Sequence, residues 1–371
     1  MLDVWILNAG KGDSIVLRYC PPSRSPVYAL IDSNVPTGKS EPPALPHLKM
    51  LGAEKLAFVL LTHPHADHYM GLYRVLCEFE VEQFYSYPIG LESAGGNLKK
   101  LAEKYLRYTT NPSETVRAQS VEFVRLLQKV HTSGILWGEC AGPKNRLYVD
   151  GAKGLEIDAI LPFRKQKGAY FDAIRKGTDS VVANPHWNNL SVALQITYGH
   201  HKIILGADGT FQSWFDHRRQ LLRVEEKLEG GVVKLPHHGA KADCNDSVLE
   251  YLFSGDAEQE RIALISANGN PHHPDKEVLL SLKQRGIKPY CTNLSTMCGG
   301  QVARMRSIPS LPVDLRRFVN FYADPSVGTD QPCQGAIQVT FASGCSHVDV
   351  SREYSHPCAL RGDYDHVIAR N

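Results

Sequence analysis

In the run Thr62-His63-Pro64-His65-Ala66-Asp67-His68, three imidazoles and one carboxylate fall within six consecutive positions. Imidazole nitrogen and carboxylate oxygen are donors that zinc, manganese or iron accepts. The spacing suits that use. His63 and His65, two apart on an extended segment, project to one side and can share one ion. Asp67 and His68 follow a turn and reach a second position. Two ions about 3.5–4 Å apart lower the pKa of a shared water and clamp a phosphoryl or carbonyl oxygen, which is the chemistry of a metal-dependent hydrolase.

Such a cluster needs a strand in front of it to aim it at a cavity. Leu56 to Leu61 is an unbroken apolar run and reads as a buried strand whose carboxyl end delivers the ligand loop. His68 to Phe79 reads as the helix that follows, with Met70, Leu72, Val75, Leu76 and Phe79 on its apolar side. Further strands are expected near 2–8, 14–20 and 27–32, with a Pro-rich connection from Val35 to Pro46 and a returning strand at Glu82 to Tyr87. Asn97 to Tyr108 and Ser113 to Val130 read as amphipathic helices inserted at about 91–135, serving either as cladding or as a lid and partner surface. The second half repeats the pattern. Strands are expected at Leu155 to Leu161, Ser191 to Tyr198, Lys202 to Gly206, Val232 to Leu235 and Ile262 to Ser266, with helices at Phe211 to Leu228, Ser247 to Phe253 and Asp275 to Gln284. One more strand is expected at Ala336 to Phe341.

The H-x-H-x-D-H cluster is the signature of the metallo-β-lactamase superfamily, and six further blocks resemble one branch of it, the ComEC-type competence nuclease domain and its soluble relatives. Asn8-Ala9-Gly10-Lys11-Gly12-Asp13-Ser14 resembles the N-x-G-x-G-D-S opening. Leu30-Ile31-Asp32-Ser33 is similar to a strand ending in Asp. Asn188-Asn189-Leu190-Ser191 resembles N-N-x-S, and Ile203 to Asp208 resembles a strand ending in a bridging aspartate. Lys234-Leu235-Pro236-His237-His238-Gly239-Ala240-Lys241 is similar to the H-H-G-S-K block, and Ser266 to Pro274 to an Asn-rich turn closing in G-H-P. The resemblance implies an α/β fold, the αβ/βα four-layer sandwich of the metallo-β-lactamase type, with metals at the shared edge of two sheets. It places the hydrolase domain at 1–290 and leaves 291–371 as a C-terminal extension packed on the core.

The resemblance also implies roles. His63 and His65 hold the first of two divalent ions, zinc or manganese, Asp67 with His68 the second, and Asp208 bridges both. Of the pair His237 and His238, one imidazole is placed on metal and the other near the substrate; His238 is the expected ligand because it aligns with the ligand of the superfamily's G-H-G turn, and alternation along the chain argues against both facing one ion. His273 is expected to ligate the second ion or to protonate a leaving oxygen, with His272 as its unresolved neighbour. Most of the superfamily has a third histidine at the first site where this chain has Asn188, as the ComEC-type branch does; His186, two residues upstream, is either a substitute or a loop histidine beside Trp187. Asp13 is expected to orient a ligand histidine, Gly10 and Gly12 to form a tight turn near the metals, and Lys241 to offset phosphate charge. Asn270 completes the expected pocket.

Composition bounds the rest. A chain of 371 residues, 43% of them hydrophobic, is long enough to bury a sizeable core. The net charge of +2 carries no global basic field that would mark a nucleic-acid binder. No apolar window approaches the ~20 residues of a membrane span, and Val4-Trp5-Ile6-Leu7 already reads as a strand, so neither a membrane anchor nor a secretory leader is expected. An odd total of nine cysteines fits a reducing cytoplasm better than a disulfide framework. Cys20, Cys77 and Cys140 read as buried thiols; Cys291, Cys298, Cys333, Cys345 and Cys358 crowd the C-terminal part without a C-x-x-C pair, so core thiols are favoured over a structural zinc. The functional expectation is a phosphodiesterase or nuclease cleaving DNA or RNA with a metal-activated water. Two alternatives stand beside it: a phosphodiesterase for small molecules such as a cyclic nucleotide or phosphocholine ester, and an effector subunit regulated by a partner such as an ATPase in a phage-defence system.

Overall fold

Two apolar meanders, each passing into strand–helix crossovers, build the molecule. The computed structural model describes residues 1–89, 114–163, 185–223, 227–255, 260–267, 273–293 and 335–353, apart from a few single positions within those spans, together with 165, 166 and 168. In the first half, strands β1 (Leu2–Ile6), β2 (Ile15–Tyr19) and β3 (Val27–Ile31) run antiparallel, after which β4 (Lys55–Leu61), β5 (Glu80–Ser86) and β6 (Leu136–Glu139) add in parallel. In the second half, β7 (Asn145–Asp150), β8 (Leu155–Ala159), β9 (Leu194–Tyr198) and β10 (His201–Leu205) are antiparallel, and β11 (Val232–Lys234), β12 (Ile262–Ile265) and β13 (Lys288–Cys291) are parallel. Two strands from the C-terminal segment extend the first sheet: β14 (Ile337–Phe341) pairs with β1, and β15 (Val348–Arg352) pairs with β14.

The sheets lie face to face, with Tyr19 of β2 ringed by Tyr148 and Tyr198 and Phe341 of β14 against His201. Helices cover the outer faces. On the first sheet pack α1 (Ala44–Met50), α2 (Ala66–Tyr69), α3 (Leu72–Glu78) and α4 (Glu114–Thr132), sharing one core with the sheet interior through Leu48, Leu72, Val75, Phe123 and Leu126. The second sheet carries α5 (Phe211–Leu222), α6 (Asp246–Leu252) and α7 (Lys276–Gln284), which close a separate core around Trp214, Leu249 and Leu279. This helix–sheet–sheet–helix order is the αβ/βα four-layer sandwich that the sequence resemblance implies. In the parallel part of each sheet the carboxyl ends of the strands open onto one edge, where ligands bind in such arrangements.

Several local expectations need correction. The helix expected from His68 to Phe79 is two helices, broken at Gly71, where the chain passes so close to the β3 loop that a side-chain Cβ would stand 2.5 Å from Ser33 Oγ and 2.6 Å from Pro42 Cβ. The helix expected to reach Leu228 stops at Leu222, capped by Arg223. The Pro-rich connection contains α1, whose prolines fall before or within its first turn, where a missing N–H costs no intrahelical bond. Cys77 is exposed and Cys20 half-buried, because the apolar face of α3 is carried by Leu72, Val75 and Leu76; Cys140 is buried. Of the inserted helices, α4 corresponds to the second, while the first, 97–108, lies outside the described residues, as do Cys298, Cys333 and Cys358. Among the described residues no helix is long and apolar enough to cross a membrane, and no cysteine joins a cluster able to hold a metal.

Candidate metal centre

Asp208 is the hub of the site. It follows β10 through Gly206 and Ala207; Ala207 takes a left-handed φ of 45°, and a Cβ on Gly206 would meet the Lys234 carbonyl at 2.9 Å. Asp208 Oδ2 lies 3.6 Å from His63 Nε2, 3.6 Å from His68 Nε2 and 3.8 Å from His237 Nε2, and Oδ1 lies 3.7 Å from His238 Nε2. These side chains come from both sheets. His63, His65, Asp67 and His68 follow β4; His237 and His238 follow β11. The Val192 N–H donates to the Thr62 carbonyl at 3.0 Å and so ties the turn of Asn188 to the ligand loop.

Among the described residues three groups have their donor atoms within reach of a single ion: the triad His63, His65 and Asp208, the triad Asp67, His68 and His238, and the set Asp13, Asp32 and His68, whose two carboxylates stand beside His238 and His68. His63 Nε2 and His65 Nδ1 stand 3.1 Å apart. Side chains outside the triads set which nitrogens face inward. Thr62 Oγ1 donates to Asp32 Oδ2 at 2.7 Å and faces His63 Nδ1 at 3.1 Å, so His63 Nδ1–H finds the hydroxyl and Nε2 is left for the centre. His68 Nδ1 donates to the same Asp32 oxygen at 2.7 Å. Asp13 Oδ1 lies 3.7 Å from His238 Nδ1, and its other oxygen pairs with Lys234 Nζ, wholly buried and also 3.2 Å from the Ala207 carbonyl. Gly12 lets that loop press against the cluster, since a Cβ there would stand 1.8 Å from the Asp67 carbonyl.

Burial dominates the electrostatics. It holds His63 well below, and His65 below, the ordinary imidazole range. Burial opposes charge on His68 too, yet Asp208 and Asp32 together hold its pKa well above that range. Burial works against the charge of Asp208, but the surrounding histidines, His68 first, keep it well below the usual carboxylate range.

The donor set fits a divalent metal. His68 Nε2, both ring nitrogens of His238, Asp208 Oδ1 and Asp13 Oδ1 are buried without a hydrogen-bond partner among the described residues. Each such orphan costs about 1–3 kcal/mol, and His68 Nε2, His238 Nε2 and Asp208 Oδ1, which gather at one place, call for a cation that accepts their lone pairs. The donors are nitrogen and oxygen, as zinc and manganese take.

Not every sequence-derived site residue arrives here. Lys241 lies apart from the residues that line the cleft: its side chain is 62% exposed and its Nζ is 3.3 Å from Glu277 Oε1. Lys11, carried on the Gly10–Gly12 turn, enters the cleft instead, and no hydrogen bond or ion pair engages it among the described residues. The alternation argued for His237 and His238 does not apply. Both residues have left-handed backbones, φ 45° and 56°, so both rings turn toward Asp208. His273 lines the cleft beside His237, with ring centroids 5.6 Å apart. Asn188 is buried, its amide nitrogen 3.5 Å from His237 Nε2. Asn270 and His272 lie outside the described residues, as does the side chain of His186. Lys234, Asp243 and Gln119 have no motif that marks them in the sequence; the one visible signal is that Lys234 is a lysine inside an apolar strand. The cleft holds about 470 Å³ and adds Ala66, Gln119 and Ser266 to these walls.

No protein-family model matches this sequence, and no curated protein matches it. Among solved structures, Zn(2+)-bound PqqB from Methylobacterium extorquens aligns at 11% identity and TM-score 0.41, over 78% of this chain and 97% of that one. A variant of the CmlA beta-hydroxylase aligns at 13% identity and TM-score 0.38, over 79% of this chain and 52% of that one. A diphosphatase from the PhnP family aligns at 12% identity and TM-score 0.34, over 84% of this chain and 93% of that one. At these values the chemistry rests on the side chains of this chain.

Proposed function

We propose that the chain is a metal-dependent phosphodiester hydrolase whose substrate is DNA or RNA. The observation that carries this reading is one buried carboxylate, Asp208, set among four imidazole nitrogens at 3.6 to 3.8 Å at the edge shared by both sheets. His63, His65 and Asp208 would hold one ion, zinc or manganese, and Asp67, His68 and His238 the other. Such ions, when bound, polarise a phosphoryl oxygen and lower the pKa of a water. The protein supplies the rest. Lys11 offsets charge on a non-bridging phosphate oxygen. His273, whose Nδ1 lies 3.8 Å from Asp275 Oδ2, is assigned to protonate the leaving oxygen. A cleft of about 470 Å³ admits a nucleotide unit with its phosphate.

The test is incubation of purified protein, with Mn²⁺ and separately with Zn²⁺, against end-labelled single- and double-stranded DNA and RNA. Cleavage lost in both Asp67→Ala and Asp208→Ala supports the reading. Hydrolysis of bis(p-nitrophenyl) phosphate with no cleavage of polymers moves the assignment to a small phosphodiester, which the net charge of +2 also suits. Metal-loaded protein that hydrolyses neither sinks it. Regulation by a protein partner, an ATPase for example, is proposed to act through α4, which places Gln119 in the cleft while leaving Val121 46% exposed; metal-dependent cleavage that a co-purifying partner leaves unchanged would remove that part.

A further inference from the structure

His237 belongs to neither triad, yet it is held as firmly as the histidines that do. Its Nδ1 donates to Asp243 Oδ2 at 2.6 Å, and Asp243 Oδ1 accepts the Phe211 N–H at 3.0 Å, so both carboxylate oxygens are engaged. The turn carrying Asp243 is pinned in turn: its N–H donates to the Ala240 carbonyl at 3.0 Å, and Cys244 Sγ donates to the Pro236 carbonyl at 3.1 Å. With the Nδ1 proton committed to Asp243, Nε2 carries the lone pair, which the Asn188 amide nitrogen approaches at 3.5 Å. Nε2 faces Asp208 Oδ2 at 3.8 Å, the oxygen that His63 Nε2 and His68 Nε2 both approach at 3.6 Å, and its contact with Asn188 sets it toward the His63/His65 side. His68 has the same arrangement, Nδ1 on a carboxylate and Nε2 toward Asp208. Keeping His237 there requires a left-handed backbone at a non-glycine residue, a conformation that persists only where the surroundings enforce it.

We infer that Asp243 is a positioning residue that turns His237 into a third imidazole donor on the His63/His65 side of the centre, at the place where Asn188 supplies no nitrogen ligand. The inference rests on the metal-centre reading above. Asp243 acts by fixing ring orientation and tautomer: an amide at this position can donate to Nδ1 and so put the proton on Nε2, where it blocks coordination. Carboxylates in this role typically contribute 10–100-fold to metal affinity.

The experiment compares unsubstituted protein, Asp243→Asn, His237→Ala and the double variant by metal content after dialysis, by competition with a chromophoric chelator, and by the visible spectrum after Co²⁺ substitution. The expected result is a roughly 10–100-fold weaker site in each single variant, a changed Co²⁺ spectrum in both, and no further loss in the double variant. Asp243→Glu is expected to restore part of the affinity. Unchanged Co²⁺ spectrum and affinity in His237→Ala overturn the inference, and so do losses that add in the double variant, which would mean that Asp243 acts through the fold. Should Asp243→Asn fail to fold, His237→Ala decides alone. Unsubstituted protein that takes up no divalent metal overturns the metal-centre reading itself, an outcome distinct from metal uptake that these variants leave untouched.

Discussion

Asp32 accepts the Nδ1–H of His68 at 2.7 Å, and through Thr62 Oγ1 the same carboxylate also governs His63. One aspartate at the end of β3 therefore sets the tautomers of two histidines in the neighbouring loop, one from each triad. The Thr62 N–H donates to its other oxygen at 2.8 Å, so the orientation is fixed through backbone as well as side chain. Asp32→Ala is expected to weaken metal binding about 10–100-fold while leaving the sheet intact, measured by chelator competition alongside circular dichroism.

Removing the hub has a larger consequence. Asp208→Asn keeps the volume of the side chain but takes away the charge that four imidazoles face, and metal content after dialysis is expected to fall for both positions together. Loss of only one equivalent would show that Asp208 serves a single ion.

The Lys234–Asp13 pair is fully buried and joins residues 221 positions apart. Removing one partner strands the other charge, so Lys234→Met or Asp13→Ala is expected to cost about 3–5 kcal/mol in denaturant unfolding. The double variant Lys234→Met with Asp13→Leu should recover much of that stability, because apolar replacement of both members removes the stranded charge. It should not recover metal affinity, since His238 loses the carboxylate beside its Nδ1.

Anion recognition separates two lysines. Lys11→Ala is expected to raise KM for a phosphodiester about tenfold with a smaller change in kcat, whereas Lys241→Ala should leave both near their original values, its ammonium being paired with Glu277 outside the cleft. Equal effects of the two substitutions would return Lys241 to the site.

His217, packed among Phe163, Trp214 and Tyr251, is pushed down to about 4 by burial, from an ordinary 6.5. Its folded-state pKa is depressed, so the unfolded chain binds the extra proton between those values; stability is full above 6.5 and falls as pH drops toward 4, by up to roughly 3 kcal/mol. Unfolding of metal-free protein measured between pH 7 and 4 is expected to show this slope, and His217→Gln to flatten it.

Much of this molecule was legible in order along the chain. Because strand burial is written as local periodicity, the alternating and continuous apolar runs place β1 to β5 and β8 to β12 within a residue or two, except that β9 begins at Leu194, three residues after its expected start. The ligand loop after β4 was readable for the same reason: strand, then donors at fixed spacing. Short edge strands such as β6 and β15 carried no such signal, since Leu136 and Asp349 face solvent and packing does not dictate their pattern. What sequence alone could not decide was which distant side chains meet. Lys241 sits in the motif yet points away, while Lys11 enters the cleft from 230 positions earlier. His237 and His238 face the same carboxylate only because the tertiary fold holds two consecutive residues in a left-handed conformation. Asp243 and Lys234 acquire their roles from partners brought by other strands and loops. Residue types and local spacing determined the kind of chemistry available to the chain. The close approach of two sheets at one edge decided which donors face one another, because distances between remote residues are set by packing and not by sequence separation.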